Sequence, residues 1–173
     1  MKNYLTSFSL LIALLVSCSD EPTDSYYYGS GVYVINEGFF NQSNGSVSYY
    51  NPATGVLLKN IFEIANERPA GDVIQSLGIS GDTIAYMIVN GLSKVEVVRL
   101  SDFKTIAPSL AIDYPRYFIQ SGSSKGYISS GAGSGNIMVV DLTNHEITDT
   151  IPVGSGPETM ASINDMAYIC NSG

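Results

Sequence analysis

The residues that could carry chemistry in this chain include a few isolated reactive groups. His145 is the only histidine, and it lies beside Asn144 and Glu146 in a turn-forming run. Without a second His or a Cys nearby, it predicts no zinc site. Cys18 and Cys170 stand far apart in the sequence, and neither has the neighbours of an activated nucleophile. We therefore expect no catalytic centre, no metal site and no cofactor, and we expect Cys170 to face the core as a small apolar residue.

A second group of residues lies next to the connections between short apolar runs. Amides, aromatic rings, guanidinium groups and carboxylates recur there. Such a set suits a large polar organic molecule, because rings stack on flat apolar parts while amides bind polar edges. The predicted ligand-binding residues are Asn36, Glu37, Phe39, Asn41, Arg68, Asn90, Tyr114, Arg116, Asn136 and Glu158, with Ser130 beside them.

A repeat of about 40 residues brings these positions together. Tyr86, Tyr127 and Tyr168 follow one another at intervals of 41 residues, each inside a short apolar run. The pair Pro115-Arg116 is matched 42 residues later by Pro157-Glu158. Short β-type runs at this period, separated by Gly, Ser, Asn and Asp, are typical of propeller blades. We predict an all-β fold, a β-propeller of four-stranded antiparallel blades.

The strands are clearest in one copy of the repeat. We predict them at Pro115 to Ser121, Gly126 to Ser130, Asn136 to Leu142 and Glu146 to Val153. No part of the mature chain keeps apolar residues at helical spacing for three turns, so we expect helix to be nearly absent. In this architecture the connections that carry the predicted ligand-binding residues open on one face around a central funnel. His145 would decorate a turn on the opposite face.

Two segments resemble a known family. Gly154 to Gly173, with the preceding Asn136 to Gly154, is similar to the repeat of YncE-like seven-bladed β-propellers. Gly31 to Gly38, with Val47 to Gly55 after it, resembles the surface-lipoprotein branch of that family in Bacteroidetes, which includes cobalamin-capturing BtuG-type proteins. The resemblance implies about three and a half blades of a probable seven, and a truncated or partial sequence. It also implies corrinoid capture for a TonB-dependent outer-membrane receptor.

The blades are placed by the repeat, and longer connections mark the first of them. We place the blades at approximately residues 31–70, 71–112 and 113–153, with the start of the next at 154–173. The first blade carries extra length at Glu37 to Gly45 and at Glu63 to Asp72. Long irregular connections on a rigid scaffold are where binding residues concentrate. The alternative is a decorated loop without a ligand.

The N-terminal residues predict export and a lipid anchor. Met1 to Ser17 reads as a signal peptide, with Lys2 before an apolar run too short to span a bilayer comfortably. Ser17-Cys18 ends a bacterial lipobox, so Cys18 would carry the lipid that holds the protein to the membrane. The acidic Ser19 to Glu21 resembles a signal for the outer face of the outer membrane. Residues 18–30 form the tether, in which Tyr26, Tyr27 and Tyr28 would reach the first blade.

Composition limits the partners. A net charge of −8 argues against nucleic acid, whose binding depends on Lys and Arg, and against electrostatic docking to anionic lipid. Charged residues are only 14% of the chain, which suits a turn-rich extracellular β module. We predict a non-catalytic cell-surface lipoprotein that binds an extracellular ligand. The alternatives are a surface module that recognises protein or glycan, a propeller enzyme, and a role for Arg116 and Glu158 in pairing between blades alone.

Overall fold

The computed structural model describes Tyr28 and residues 30–173. The predicted signal peptide, Met1 to Ser17, the predicted lipidation site at Cys18 and most of the predicted tether lie outside the described residues, so these predictions are not tested. Within the described residues, no helix is both long and apolar enough to cross a membrane.

The described residues form strands wherever β-branched and aromatic residues run between turn formers, as β-propensity predicts. One short helix, α1, spans Ile61–Asn66, and one 3-10 turn spans Asn90–Leu92. The strands are β1 Val32–Asn36, β2 Ser46–Asn51, β3 Val56–Leu58, β4 Ile74–Ser80, β5 Ile84–Val89, β6 Lys94–Arg99, β7 Leu110–Ala111, β8 Pro115–Ser121, β9 Lys125–Ser130, β10 Asn136–Asp141, β11 Glu146–Pro152, β12 Pro157–Ile163 and β13 Met166–Asn171.

The strands group into four antiparallel sheets in chain order. The sheets are β1-β2-β3, β4-β5-β6-β7, β8-β9-β10-β11 and β12-β13. Strands β4, β8 and β12, the first of each of the last three sheets, lie side by side. This arrangement confirms the all-β prediction and its four-stranded antiparallel unit, and we call each sheet a blade and β4, β8 and β12 the inner strands.

The predicted strands of the clearest copy agree with β8 to β11 to within about one residue. The recurring tyrosines lie on equivalent strands: Tyr86 on β5, Tyr127 on β9 and Tyr168 on β13. Tyr33 on β1 is their counterpart. The connection that follows β1 forms a hydrogen bond at the start of β4, and the turn that follows β5 forms hydrogen bonds at the same place. The first blade therefore contains the second, third and fourth strands of the unit.

Apolar side chains fill the space between neighbouring blades. Tyr28 packs edge-on against Tyr49 and Phe103, with ring centroids 5.2 and 6.3 Å away, between the first and second blades. Between the second and third blades, Tyr86 stacks on Phe118 at 4.0 Å. Each fully buried side chain of this size contributes about 1.5–3 kcal/mol. The predicted contact of Tyr28 with the first blade is confirmed, whereas Tyr26 and Tyr27 lie outside the described residues.

Helix α1 occupies part of a connection that we predicted to be irregular. Ile61 and Phe62 are fully buried, so tertiary packing stabilises a helix of fewer than two turns. The Asn66 side chain fixes its end, since Nδ2 donates to the carbonyl of Phe103 at 3.0 Å and Oδ1 accepts from the amide of Thr105 at 2.9 Å. A helix this short cannot show a sustained periodicity in sequence.

The prediction that Cys170 faces the core is wrong. Cys170 lies on β13 and is exposed, as are Met166 and Tyr168 on the same strand. The reason is that no further sheet among the described residues covers β13.

Gly78 marks a close approach of two inner strands. A Cβ at Gly78 in β4 would lie 2.6 Å from the carbonyl oxygen of Phe118 in β8. Real Cβ atoms essentially never come this near to backbone, so only glycine fits here. The tight contact between these blades therefore depends on the missing side chain.

We expect Gly78→Ala to lower the free energy of unfolding by about 1–3 kcal/mol, because the added methyl group forces β4 and β8 apart. Chemical denaturation followed by circular dichroism would measure it. Gly131→Ala is the control, since its nearest atom would be 4.0 Å away, and it should change stability little. Equal stability of the two variants would contradict the close approach.

Candidate functional site

The connections at one end of the blades form a continuous rim. We define the rim as residues 37–45, 67–73, 90–93, 112–114, 131–135 and 153–156. Main-chain hydrogen bonds of 3.0–3.2 Å join successive segments: Gly45 N to Gly71 O, Gly91 N to Asp72 O, Ile112 N to Ser93 O, Gly131 N to Tyr114 O and Val153 N to Gly135 O. Asn90 Nδ2 also donates to the carbonyl of Pro115, at the start of the next blade, at 3.0 Å. The structure thus brings the predicted ligand-binding residues to one end of the fold, while their binding role stays a prediction.

The connection at residues 37–45 is ordered by bonds to its backbone. The amide of Asn41 donates to Asp72 Oδ2 at 2.6 Å, and the amide of Gly45 donates to the carbonyl of Gly71 at 3.2 Å. The adjacent Phe39 and Phe40 side chains are 70% and 71% exposed. A held loop with two exposed aromatic rings loses little conformational entropy on binding.

Asp72 lies beneath this loop and joins two rim segments. Its side chain is nearly fully buried, and Oδ1 has no hydrogen-bond partner among the described residues. The next residue, Val73, has a φ of 50°, a rare conformation for a β-branched side chain. Backbone strain of this kind persists only where surrounding structure holds it in place. Asp72 ends one of the two long connections noted in the sequence, but neither Asp72 nor Val73 was among the predicted ligand-binding residues.

Three of the predicted side chains differ in how much of their surface is free to contact a ligand: Asn36, Asn90 and Tyr114. Asn36 Nδ2 donates to the hydroxyl groups of Ser46 and Ser48 at 3.2 Å, so it orders the first blade. Asn90 Nδ2 bonds to the next blade, as described above. Tyr114 is 64% exposed at the rim. Of these three side chains, Tyr114 offers the largest free surface to a ligand.

Arg116 and Glu158 form an ion pair across two inner strands. Arg116 Nε donates to Glu158 Oε2 at 3.0 Å, and Arg116 Nη1 donates to Gln75 Oε1 at 2.7 Å. Gln75, Arg116 and Glu158 occupy the second position of β4, β8 and β12. We call these three residues the inner row. Sequence reasoning missed Gln75, although it lies 41 residues before Arg116 and the repeat could have identified it.

Arg68 makes a bidentate pair with a carboxylate that we did not predict. Its Nη1 and Nη2 each donate to Glu96 at 2.9 Å, and Lys94 Nζ donates to the same carboxylate at 2.7 Å. The guanidinium also lies 4.8 Å from the centre of the Phe62 ring. Burial alone would raise the pKa of Glu96, but hydrogen bonds from Arg68 and Lys94, and their charges, lower it below its ordinary value.

Cavities do not coincide with the whole rim. Asn136 and Ser130 line a cavity of about 400 Å³ between the second and third blades, next to Asp113 and Met138. A larger cavity of about 560 Å³ lies at the opposite end, beside Tyr33 and β4, and contains none of the predicted residues. The exposed aromatic rings and the inner row therefore define the candidate site better than cavity size does.

His145 was predicted only to decorate a turn, but the structure gives it a specific contact. Its Nδ1 forms a hydrogen bond of 2.7 Å with the hydroxyl group of Tyr86 in the preceding blade. Burial, followed by the charge of Asp141, raises the pKa of Tyr86 to about 12. Burial lowers the pKa of His145, although Asp141 opposes this. The histidine therefore joins two blades away from the rim.

We expect acid to weaken this contact. Because the pKa of His145 in the folded chain is lower than the ordinary value of 6.5, the unfolded chain binds more protons, and stability falls as the pH falls through that value. His145→Asn removes the titrating group and tolerates the φ of 59° at this position. Melting curves from about pH 7.5 to about pH 5 should show a larger loss in the wild type than in the variant. Equal losses would contradict the assignment.

We expect Glu96→Gln to lower the free energy of unfolding at neutral pH by about 3 kcal/mol, because Arg68 and Lys94 lose the charge that they surround. Denaturation in urea would measure it. Glu146→Gln, at an exposed carboxylate, is the matched control and should cost less than about 0.5 kcal/mol. A Glu96 variant as stable as this control would show that the buried cluster contributes nothing.

Comparison with known proteins supports the fold and identifies the family. A chain of Kuenenia stuttgartiensis hydrazine synthase is similar to this structure, with a TM-score of 0.61, over 84% of this chain and 41% of that chain. Only 14% of residues are identical, so the similarity shows the fold alone, and this chain spans less than half the length of that one. No curated protein sequence matches. Residues 30–172 match the family described as "Domain of unknown function (DUF5074)", and the chain belongs to that family.

Proposed function

We propose that this protein is a non-catalytic binding module at the cell surface, whose rim captures an extracellular organic molecule. The observation that carries the proposal is the combination of an ordered loop with two exposed rings, Phe39 and Phe40, and a third exposed ring, Tyr114, on the same end of a rigid all-β scaffold. Exposed aromatic side chains on a held backbone are typical of binding surfaces. The other exposed apolar residues of β1 and β13 lie on outer blade faces instead.

The contacts of the reactive groups favour binding over catalysis. His145 forms its hydrogen bond with Tyr86, and Glu158 pairs with Arg116. A general base needs a carboxylate or imidazole within reach of a substrate proton. These contacts support the non-catalytic proposal over the propeller-enzyme alternative.

The surface location rests on the N-terminal sequence. The apolar run before Cys18 and the acidic Ser19 to Glu21 support a lipid-anchored protein on the outer face of the outer membrane. Such an anchor would keep the rim near a TonB-dependent receptor that imports the captured molecule. Because of the resemblance to BtuG-type proteins, we propose a corrinoid as that molecule. A corrinoid suits exposed aromatic and polar side chains, since it combines a flat ring with many carboxamide edges.

A second candidate is a surface module that recognises another protein or a glycan. The specific observation in its favour is the loop at residues 37–45, whose two exposed phenylalanines are adjacent in sequence. An adjacent pair of exposed rings on a short loop suits insertion into an apolar pocket of a partner. Retention of the protein on immobilised mucin or cell-wall material, without retention of corrinoid, would favour this candidate.

We expect the wild-type protein to retain cyanocobalamin in a spin filter, measured by the corrin absorbance of the flow-through. Phe39→Ala with Phe40→Ala, and Tyr114→Ala separately, should weaken retention about tenfold or more, because each removes an aromatic contact surface. Ile64→Ala is the matched control, since Ile64 is an exposed apolar residue on α1, outside the rim.

All three variants should unfold like the wild type, because the altered side chains are exposed. A wild-type protein that leaves all the corrinoid in the flow-through would exclude the corrinoid version. Retention that survives the Phe39, Phe40 and Tyr114 changes would show that the rim is not the binding surface.

A further inference from the structure

The inner row combines three side chains that keep hydrogen-bonding capacity. Gln75, Arg116 and Glu158 stand at the same strand position in three neighbouring blades, and each is half-buried. Their mutual bonds use one atom of Gln75, two nitrogens of Arg116 and one oxygen of Glu158. Among the described residues, Gln75 Nε2, Arg116 Nη2 and Glu158 Oε1 have no partner in the hydrogen bonds of the fold. The row therefore presents two donors followed by one acceptor.

The backbone beneath the inner row is fixed. Ser76 Oγ donates to the carbonyl of Arg116 at 2.7 Å, and Ser129 Oγ donates to the carbonyl of Glu158 at 2.9 Å. Both bonds cross from one blade to the next. Groups held in place before a ligand arrives bind it at a lower entropic cost. The donors and the acceptor of the row are thus positioned by the joints between blades.

The charge of the row is balanced. The guanidinium of Arg116 faces the carboxylate of Glu158 at 3.0 Å, and Gln75 is neutral. An anionic ligand would gain Arg116 but meet Glu158, and it would also approach a chain of net charge −8. A cationic ligand would meet the same conflict with Arg116. An uncharged ligand that can both accept and donate hydrogen bonds avoids both costs.

We propose that the inner row is a subsite for a neutral saccharide, an inference that rests on the proposed binding function and adds a ligand class beside the corrinoid. One sugar hydroxyl accepts from Gln75 Nε2 and Arg116 Nη2, and a neighbouring hydroxyl donates to Glu158 Oε1. Tyr114, two residues before Arg116 and 64% exposed, offers a ring against which the apolar face of a pyranose can pack. No bond of the saccharide is broken.

The experiment is affinity electrophoresis of the intact protein in native gels that contain a soluble neutral polysaccharide: mannan, dextran, xyloglucan or mixed-linkage β-glucan. Polygalacturonate serves as the anionic comparison. The wild type should be retarded by at least one neutral polymer and not by polygalacturonate. Arg116→Ala and Gln75→Ala should weaken the retardation at least about tenfold in apparent Kd, since each removes a donor to the sugar.

Gln120→Ala is the matched control for a structural effect. Gln120 also joins two blades, since its Oε1 accepts from the hydroxyl of Ser80 at 3.0 Å and from the amide of Gly81 at 2.8 Å. It lies at the opposite end of β8 from Arg116. Its variant should keep the wild-type retardation, and melting curves of the Gln75 and Gln120 variants should show similar losses of stability.

The outcomes separate this inference from the proposed function. If no neutral polysaccharide retards the wild type, or if polygalacturonate alone does, the saccharide subsite is wrong. If cyanocobalamin is then still retained in a manner that needs Phe39, Phe40 or Tyr114, the binding function stands without the saccharide. If retardation is unaffected by the Gln75 and Arg116 changes, the inner row is only a joint between blades.

Discussion

The structure depends on the need of each blade to cover its two faces. A four-stranded sheet built from Val, Ile and Tyr is apolar on both sides, so it is stable only between neighbours. The stack of Tyr86 on Phe118 and the approach of Gly78 to Phe118 show how closely the blades meet. Because side chains from one blade fill the face of the next, the blades have a fixed order and a fixed spacing. The packing between blades therefore determines the geometry of the rim.

Several polar contacts between blades lie near the two ends of the inner strands, and they set the alignment that apolar packing leaves open. Near the rim, Ser76 and Ser129 bond to the neighbouring backbone, and Arg116 bridges to both sides. At the other end, Gln120 accepts from the preceding blade. Hydrogen bonds have direction, whereas apolar contacts do not, so these groups fix the register of one blade on the next.

The sequence predicted the fold through its period. Tyrosines 41 residues apart and matched turn residues located the strands of the third blade almost completely, because each strand is a short run of β-forming residues between glycine or asparagine turns. Helix α1 was missed because six residues carry no periodic signal and its stability comes from buried Ile61 and Phe62. The exposure of Cys170 was missed because alternation identifies two faces but not which one a neighbour covers.

The location of the candidate site could be predicted from the sequence, but the contacts within it could not. The repeat predicted that four of the site residues lie at one end of the blades, and the structure has them there: Asn90, Tyr114, Arg116 and Glu158. Gln75, which lies one repeat before Arg116, was overlooked although the period could have identified it. Glu96, the partner of Arg68, was overlooked because their contact depends on packing that no local pattern encodes.

The loop with the two phenylalanines is held through its main chain, at the amides of Asn41 and Gly45 and the carbonyl of Glu37. Main-chain bonds are indifferent to side-chain identity. Substitutions at positions 39 and 40 can therefore alter what the protein recognises while the loop keeps its shape. Specificity can diversify at these positions, by natural drift or by directed library selection, without a new scaffold.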